Sequence, residues 1–177
     1  LDVTLNVIQP PPAFSAAQVR NAASLEGGGV APGEILVING SDFAAPGVSL
    51  PARAAAVDAA LGGTEVFFDN IAAPLIALRP DQVSLIAPYA IAGRERVEIR
   101  VSRGGVTSAA VAVPVAPSAP GLFTVDESGK GQAAAYHADG SRNSPDNPAP
   151  RGSVITLFLT GEGQTNPPGV DGRVNGE

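Results

Sequence analysis

The residue types able to do chemistry in this chain are few and scattered. His137 is the sole histidine, so a Ser-His-Asp arrangement would have to use it. It sits beside a turn at Asp139-Gly140, and no G-x-S-x-G elbow occurs anywhere. A histidine metal site fails for the same want of partners. Lys130, the sole lysine, lies in the loop-like S-G-K-G, whereas a Lys-Asn isopeptide crosslink of the kind found in Ig-like adhesins needs a buried strand. Asp126, Glu127, Asp139 and Asp146 offer the oxygen ligands calcium accepts, but without D-x-D-x-D-G spacing they read as solvated turn carboxylates. Gly27-Gly28-Gly29 is followed by Pro32 and a strand where a phosphate cradle needs a helix N-terminus. Asn39-Gly40-Ser41 fits a glycosylation sequon, yet Asn39 ends a central strand and reads as a turn residue. Tyr89, Tyr136 and Phe43 carry rings on which a sugar could stack; Tyr89 and Tyr136 are the candidate glycan contacts, and with no Trp, core packing is the competing account. The expectation is a protein that is not an enzyme, with no catalytic, cofactor-binding or metal-binding residues.

The elements that must position these residues are strands. A chain of 177 residues, 44% hydrophobic, can bury a core, but 21 Gly and 17 Pro break long helices, which favours an all-β fold. Cysteine is absent, so there are no disulfides, thiolate sites or thiol nucleophiles. The net charge is -6, and the one basic cluster, Arg94 to Arg103, is interleaved with Glu95 and Glu98, so a nucleic-acid role lacks its electrostatic footprint. No stretch reaches the roughly 18 to 20 apolar residues of a membrane span. The opening L-D-V-T-L-N-V-I-Q lacks the basic start and cleavage site of a signal peptide, and its strand-like beginning without Met predicts a processed protein or a segment of a longer one.

Leu1 to Ile8 alternates, with Leu1, Val3, Leu5 and Val7 on one face and Asp2, Thr4 and Asn6 on the other, the pattern of a half-buried strand. Pro10, Pro11 and Pro12 then form an extended spacer, which sets off residues 1–16. Over residues 17–118 strand signals recur at the spacing of a β-sandwich. They comprise the continuous apolar run Ile35 to Ile38, then Thr64 to Phe68 with a tight turn at Asp69-Asn70 and a return through Ile71 to Ala77. Gln82 to Ala87 comes next, followed by Arg96 to Val101 with one wet face, a turn at Arg103-Gly104-Gly105, and Val106 to Val115 with Val111, Val113 and Val115 inward. Ala52 to Leu61 is either a short helical turn, which its alanine content favours, or part of a long loop between strands. Residues 119–177 supply a second β-rich unit, with Gln132 to Tyr136 and then Ser153 to Thr160 as a buried strand. With about three strands in about 60 residues, this unit is expected either to dock on the first domain or to be incomplete, its missing strands lying beyond Glu177 or coming from another chain. The expected core residues are Ile35, Val37, Phe68, Leu85, Val97, Ile99, Val111, Leu157 and Phe158.

G-E-I-L-V-I-N-G-S-D-F, V-F-F-D-N-I-A-A-P, V-S-L-I-A-P and V-E-I-R-V-S-R-G-G-V-T-S resemble the IPT/TIG domain, an immunoglobulin-like sandwich of plexins, some transcription factors and many bacterial surface proteins. N-A-A-S at Asn21, V-A-P-G-E-I at Val30, A-P-G-L-F-T at Ala119, G-Q-A-A-A at Gly131, N-S-P-D-N-P-A at Asn143 and T-G-E-G-Q-T at Thr160 are more closely similar to a C-terminal module of secreted proteins of Solibacter-type soil bacteria. This resemblance spans Ala17 to about Gly172 and implies an Ig-like sandwich, a location outside the cell or at its surface, and no known activity. It also implies a further strand-rich stretch beyond Gly172, so that the second unit is completed either there or by a strand from a partner. Two readings of Leu1 to Ile8 stay open: the last strand of an upstream Ig-like domain, or a donor, through Leu1, Val3, Leu5 and Val7, to an open sheet edge. The expected function is a structural or adhesive module that self-assembles or contacts neighbouring Ig-like domains, with a carbohydrate-binding accessory module as the alternative.

Overall fold

A computed structural model describes residues 9–51 and 58–172. Along the chain the strands are β1 (Val19–Asn21), β2 (Ile35–Asn39), β3 (Leu50–Pro51), β4 (Ala60–Leu61), β5 (Thr64–Phe68), β6 (Ile71–Ala72), β7 (Leu75–Leu78), β8 (Gln82–Ile86), β9 (Arg96–Arg103), β10 (Val106–Thr107) and β11 (Val111–Pro114). Four more follow: β12 (Gly121–Leu122), β13 (Ala135–His137), β14 (Ile155–Leu157) and β15 (Leu159–Thr160). Helix is confined, among the described residues, to two 3-10 turns at Ala16–Gln18 and Tyr89–Ile91. The all-β expectation holds, and no described helix is long and apolar enough to cross a membrane.

One larger sheet runs β1-β2-β8-β7-β3; the other runs β10-β9-β5-β4, with β11 on β9 and β6 on β5. All the strand pairs within them are antiparallel. Leu36, Ile38, Val83, Leu85, Leu75 and Leu78 of the first sheet meet Val66, Phe68, Val97, Ile99, Val101 and Val113 of the second in one buried cluster, a β-sandwich-like arrangement. Period two explains the second sheet: Val97, Ile99 and Val101 turn inward, while Arg96 and Glu98 face water. Asp69 enters the left-handed region at φ +54° and leads the turn by which Phe68 pairs with Ile71.

Several expectations need correcting. The core residues of β2 are Leu36 and Ile38; Ile35 and Val37 are only half-buried, one residue out of the expected register. Val111 packs at the margin of the core, with Val113 fully inside. The return after Asp69-Asn70 is interrupted, since β6 stays on β5 but β7 crosses to the other sheet. Ala60 and Leu61 are strand, not helical turn, and residues 52–57 lie outside the described residues. Phe43 is fully buried, edge-to-face with Phe14 at 6.2 Å between ring centroids, so it presents no stacking face.

The largest correction falls at the C-terminal end. Ser153 to Thr160 does form strands, but only its last residue, Thr160, is buried: Leu157 is 42% and Phe158 53% exposed, and Val154 reaches 77%. β12 pairs with β15 and β13 with β14, and the Phe123 N–H bonds the Phe158 carbonyl between them at 3.0 Å. The two small sheets share the run Ile155 to Thr160 and form a narrow ribbon, bridged at its margin by Thr124–Ala133 and Tyr136–Arg142, that leaves Val154, Ile155, Leu157, Phe158 and Leu159 exposed.

Candidate functional site

Residues of four of the resembling motifs, those that begin at Asn21, Val30, Ala119 and Thr160, meet where this ribbon joins the sandwich. Asn21 closes β1, and its side-chain carbonyl accepts from the N–H groups of Ala23 (2.8 Å) and Ser24 (3.0 Å), an Asx-type turn that redirects the chain. Its amide donates to Glu34 Oε1 at 2.8 Å and to the Ala119 carbonyl at 2.9 Å. Glu34 precedes β2, is fully buried, and accepts a second bond from the Ala31 N–H at 2.6 Å. Desolvation raises its pKa above the ordinary carboxylate value; the bonds from Ala31 and Asn21 pull the other way and are outweighed.

From the ribbon side, Thr160 is buried and its Oγ1 accepts the Ile35 N–H at 2.7 Å. That donor is left over because β1 turns away at Ala22, whose N–H bonds the Ile35 carbonyl at 2.9 Å. Gly161, at φ +85°, brings its backbone so close to the Ala119 carbonyl that a Cβ would overlap it, while its own carbonyl accepts the Ala119 N–H at 2.8 Å. Gly129 lies equally close to the Ser24 backbone. On the far side, the Tyr89 ring lies against the backbone of Gly33 and Gly169, and the Tyr89 N–H bonds the Asp171 carboxylate. These contacts tie residues 119–172 to the end of the sandwich at several separated points. They include a buried acidic side chain, and no buried polar side-chain atom among the described residues lacks a partner.

The residues singled out from sequence are placed elsewhere or serve local geometry. Leu1, Val3, Leu5 and Val7 lie outside the described residues. Tyr136 sits on β13 with its ring edge-to-face on Phe158 at 5.8 Å, while Tyr89 belongs to a different element and is engaged at the junction. His137 Nε2 bonds the Asn147 carbonyl at 3.1 Å across the ribbon's turn. Asp126 and Asp139 cap their own turns, and hydrogen bonds from Ser128 and Ser141 hold their pKa values below the ordinary range. Among the described residues no three acidic or histidine side chains gather as a metal site. Asn39 is half-buried at the end of β2 and its side chain accepts from Gln82 at 3.2 Å. Residues that mattered but carried no assigned role in the sequence were Asn21, Glu34 and Thr160. The available signal was a lone carboxylate abutting a buried apolar run, with an Asx-turn residue upstream. Comparison of the chain with protein-family models finds no match, and comparison with curated proteins finds none either. The class that sequence and structure define together is an all-β domain of several antiparallel sheets.

Proposed function

We propose that this chain is a non-catalytic, extracellular structural module of the immunoglobulin-like type, whose work is to hold successive β-rich units in fixed relation. The observation carrying the proposal is the junction: a buried Asn21–Glu34 pair, the Thr160 cap on Ile35 and a glycine-lined close approach, all at one end of the sandwich. Flexible linkers have none of these, because each demands ordered backbone on both sides. Support for the immunoglobulin-like reading comes from strand order. β1-β2-β8-β7 corresponds to A-B-E-D and β11-β9-β5 to G-F-C of the seven-stranded constant-type sandwich. The extracellular and IPT/TIG readings are supported by the sequence motifs, several of which supply the junction. A glycan-binding role gains no comparable support, since Phe43 is in the core and Tyr89 is packed at the junction.

Residual dipolar couplings test the structural reading. A single alignment tensor should fit residues 9–51 and 58–118 together with 119–172, and two independent tensors would overturn the rigid-joint function. Antibody labelling of intact producing cells tests the location, with label seen only after permeabilisation counting against it.

A further inference from the structure

The ribbon is the one part of the described chain whose chemistry is left open. Ile155–Leu157 and Leu159–Thr160 pair on one side only, with β13 and β12. Their other edge carries backbone donors and acceptors with no strand beside it among the described residues. The same stretch is apolar and exposed, with Val154, Ile155, Leu157, Phe158 and Leu159 between 39% and 77% accessible. A free edge of this length with apolar side chains is a template for another strand, and a two-stranded ribbon alone is marginal in water.

We propose that this edge accepts the Leu1–Ile8 segment of a second copy of the chain, so that copies join head to tail. The inference rests on the structural-module reading and names its partner. Three features favour this occupant. Leu1, Val3, Leu5 and Val7 alternate with Asp2, Thr4 and Asn6, the pattern that lays one apolar face on a ribbon and one polar face to water. No proline interrupts Leu1–Ile8, so every N–H is available to a ladder, whereas Pro10, Pro11 and Pro12 stop pairing just beyond it.

The third feature is the geometry of the two ends. Gln9, to which the segment is joined, bonds the Arg103 carbonyl at 3.1 Å, beside the β9–β10 turn. The ribbon leaves from the other end, where Arg96 pairs with Pro114 and Thr160 caps Ile35. β9 has eight residues, so the two ends are about 24 Å apart. Leu1–Ile8 extends at most about 28 Å from its attachment, so crossing its own sandwich would leave almost nothing to pair with Ile155–Thr160. Donation is therefore between copies, and donor and acceptor at opposite ends make the contact heterologous and open-ended.

The absence of cysteine makes a clean test. Single variants Leu1→Cys, Val3→Cys and Leu5→Cys are mixed in all combinations with Ile155→Cys, Leu157→Cys and Leu159→Cys in the full chain under mild oxidation. A disulfide needs Cα atoms roughly 4.4 to 6.8 Å apart, so donor–acceptor crosslinks should appear only in combinations that follow one strand register. Light scattering of the unmodified chain should show dimers and larger species growing with concentration, lost in Leu5→Asp. Crosslinking confined to acceptor–acceptor pairs would point to a face-to-face dimer and overturn the proposal. So would an intramolecular crosslink in a Leu5→Cys/Leu157→Cys double variant, or a monomer at every concentration. None of these outcomes changes the alignment-tensor result, so the rigid joint and the head-to-tail contact fail separately.

Discussion

The side-chain amide of Asn21 donates 2.8 Å to the carboxylate of Glu34, and both residues are buried where the sandwich meets the C-terminal ribbon. The same amide holds the Ala119 carbonyl, so one side chain spans β1, the start of β2 and the first residues of the C-terminal stretch. Truncating it removes the donor to the buried Glu34 carboxylate and to the part-buried Ala119 carbonyl at once. Asn21→Ala is expected to cost about 1 to 3 kcal/mol in urea unfolding. It should also raise the rate of proteolysis after Ser118 more than the rate within β9, and equal acceleration at both places would mean that Asn21 supports only the sandwich.

Glu34 makes stability depend on pH in an unusual direction for a carboxylate. Its folded pKa is raised, chiefly by desolvation, so the folded state holds the proton more tightly than the unfolded chain. The resulting stabilisation is fully present below the ordinary glutamate pKa and is lost as pH rises through the raised folded value. Asp126 and Asp139 act oppositely, because their lowered values give stability that is lost as pH falls below the ordinary aspartate range. Urea titrations from acid to neutral pH should therefore show a declining limb that Glu34→Gln removes. An unchanged limb in that variant would assign the slope to other groups.

Thr160 and Gly161 test the opposite side of the junction. Thr160→Val keeps the shape but deprives the Ile35 N–H of its acceptor, and is expected to cost about 1 to 3 kcal/mol. Gly161→Ala places a methyl group against the Ala119 carbonyl on backbone already in the left-handed region, and residues 119–172 must shift away. Hydrogen exchange of the Ala119 and Ile35 amides reads both variants, and preserved protection at both would show that the close approach is not what holds the ribbon.

The sandwich was legible from sequence wherever one strand face is wet. β9 was readable because Arg96, Glu98 and Arg100 mark the water side, and β5 because Thr64, Val66 and Phe68 alternate against Glu65 and Phe67. β2 was not, because Ile35 to Ile38 is apolar at every position and either alternation would serve as a core face. Its nearest polar marker misleads: a solvent-facing Glu34 would turn Ile35 and Val37 inward, whereas Glu34 is buried on the same face as Leu36 and Ile38. Leu36 and Ile38 face inward because they pack with Val66, Phe68 and Ile99 of the other sheet, and Glu34 can lie on that side because Asn21 and the Ala31 N–H satisfy its carboxylate. The ribbon failed for a related reason, since apolar content predicts a buried strand only if a facing layer exists, and none covers it among the described residues.

The difference between a filled and an unfilled core can be measured by paired phenylalanine truncations. Phe68 is fully enclosed between the two larger sheets, so Phe68→Ala is expected to cost about 3 to 5 kcal/mol through lost transfer energy and a cavity. Phe158 has one edge-to-face neighbour, Tyr136, and is 53% exposed, so Phe158→Ala should cost under about 1 kcal/mol in dilute, monomeric protein. The second value should grow with protein concentration if copies cover the ribbon, because the ring is then buried in the wild-type assembly and absent from the variant. A concentration-independent small cost would mean that the face stays wet in solution. A large cost even at the lowest concentration would mean that the ribbon packs against part of its own chain, and would return Phe158 to the core predicted from the sequence.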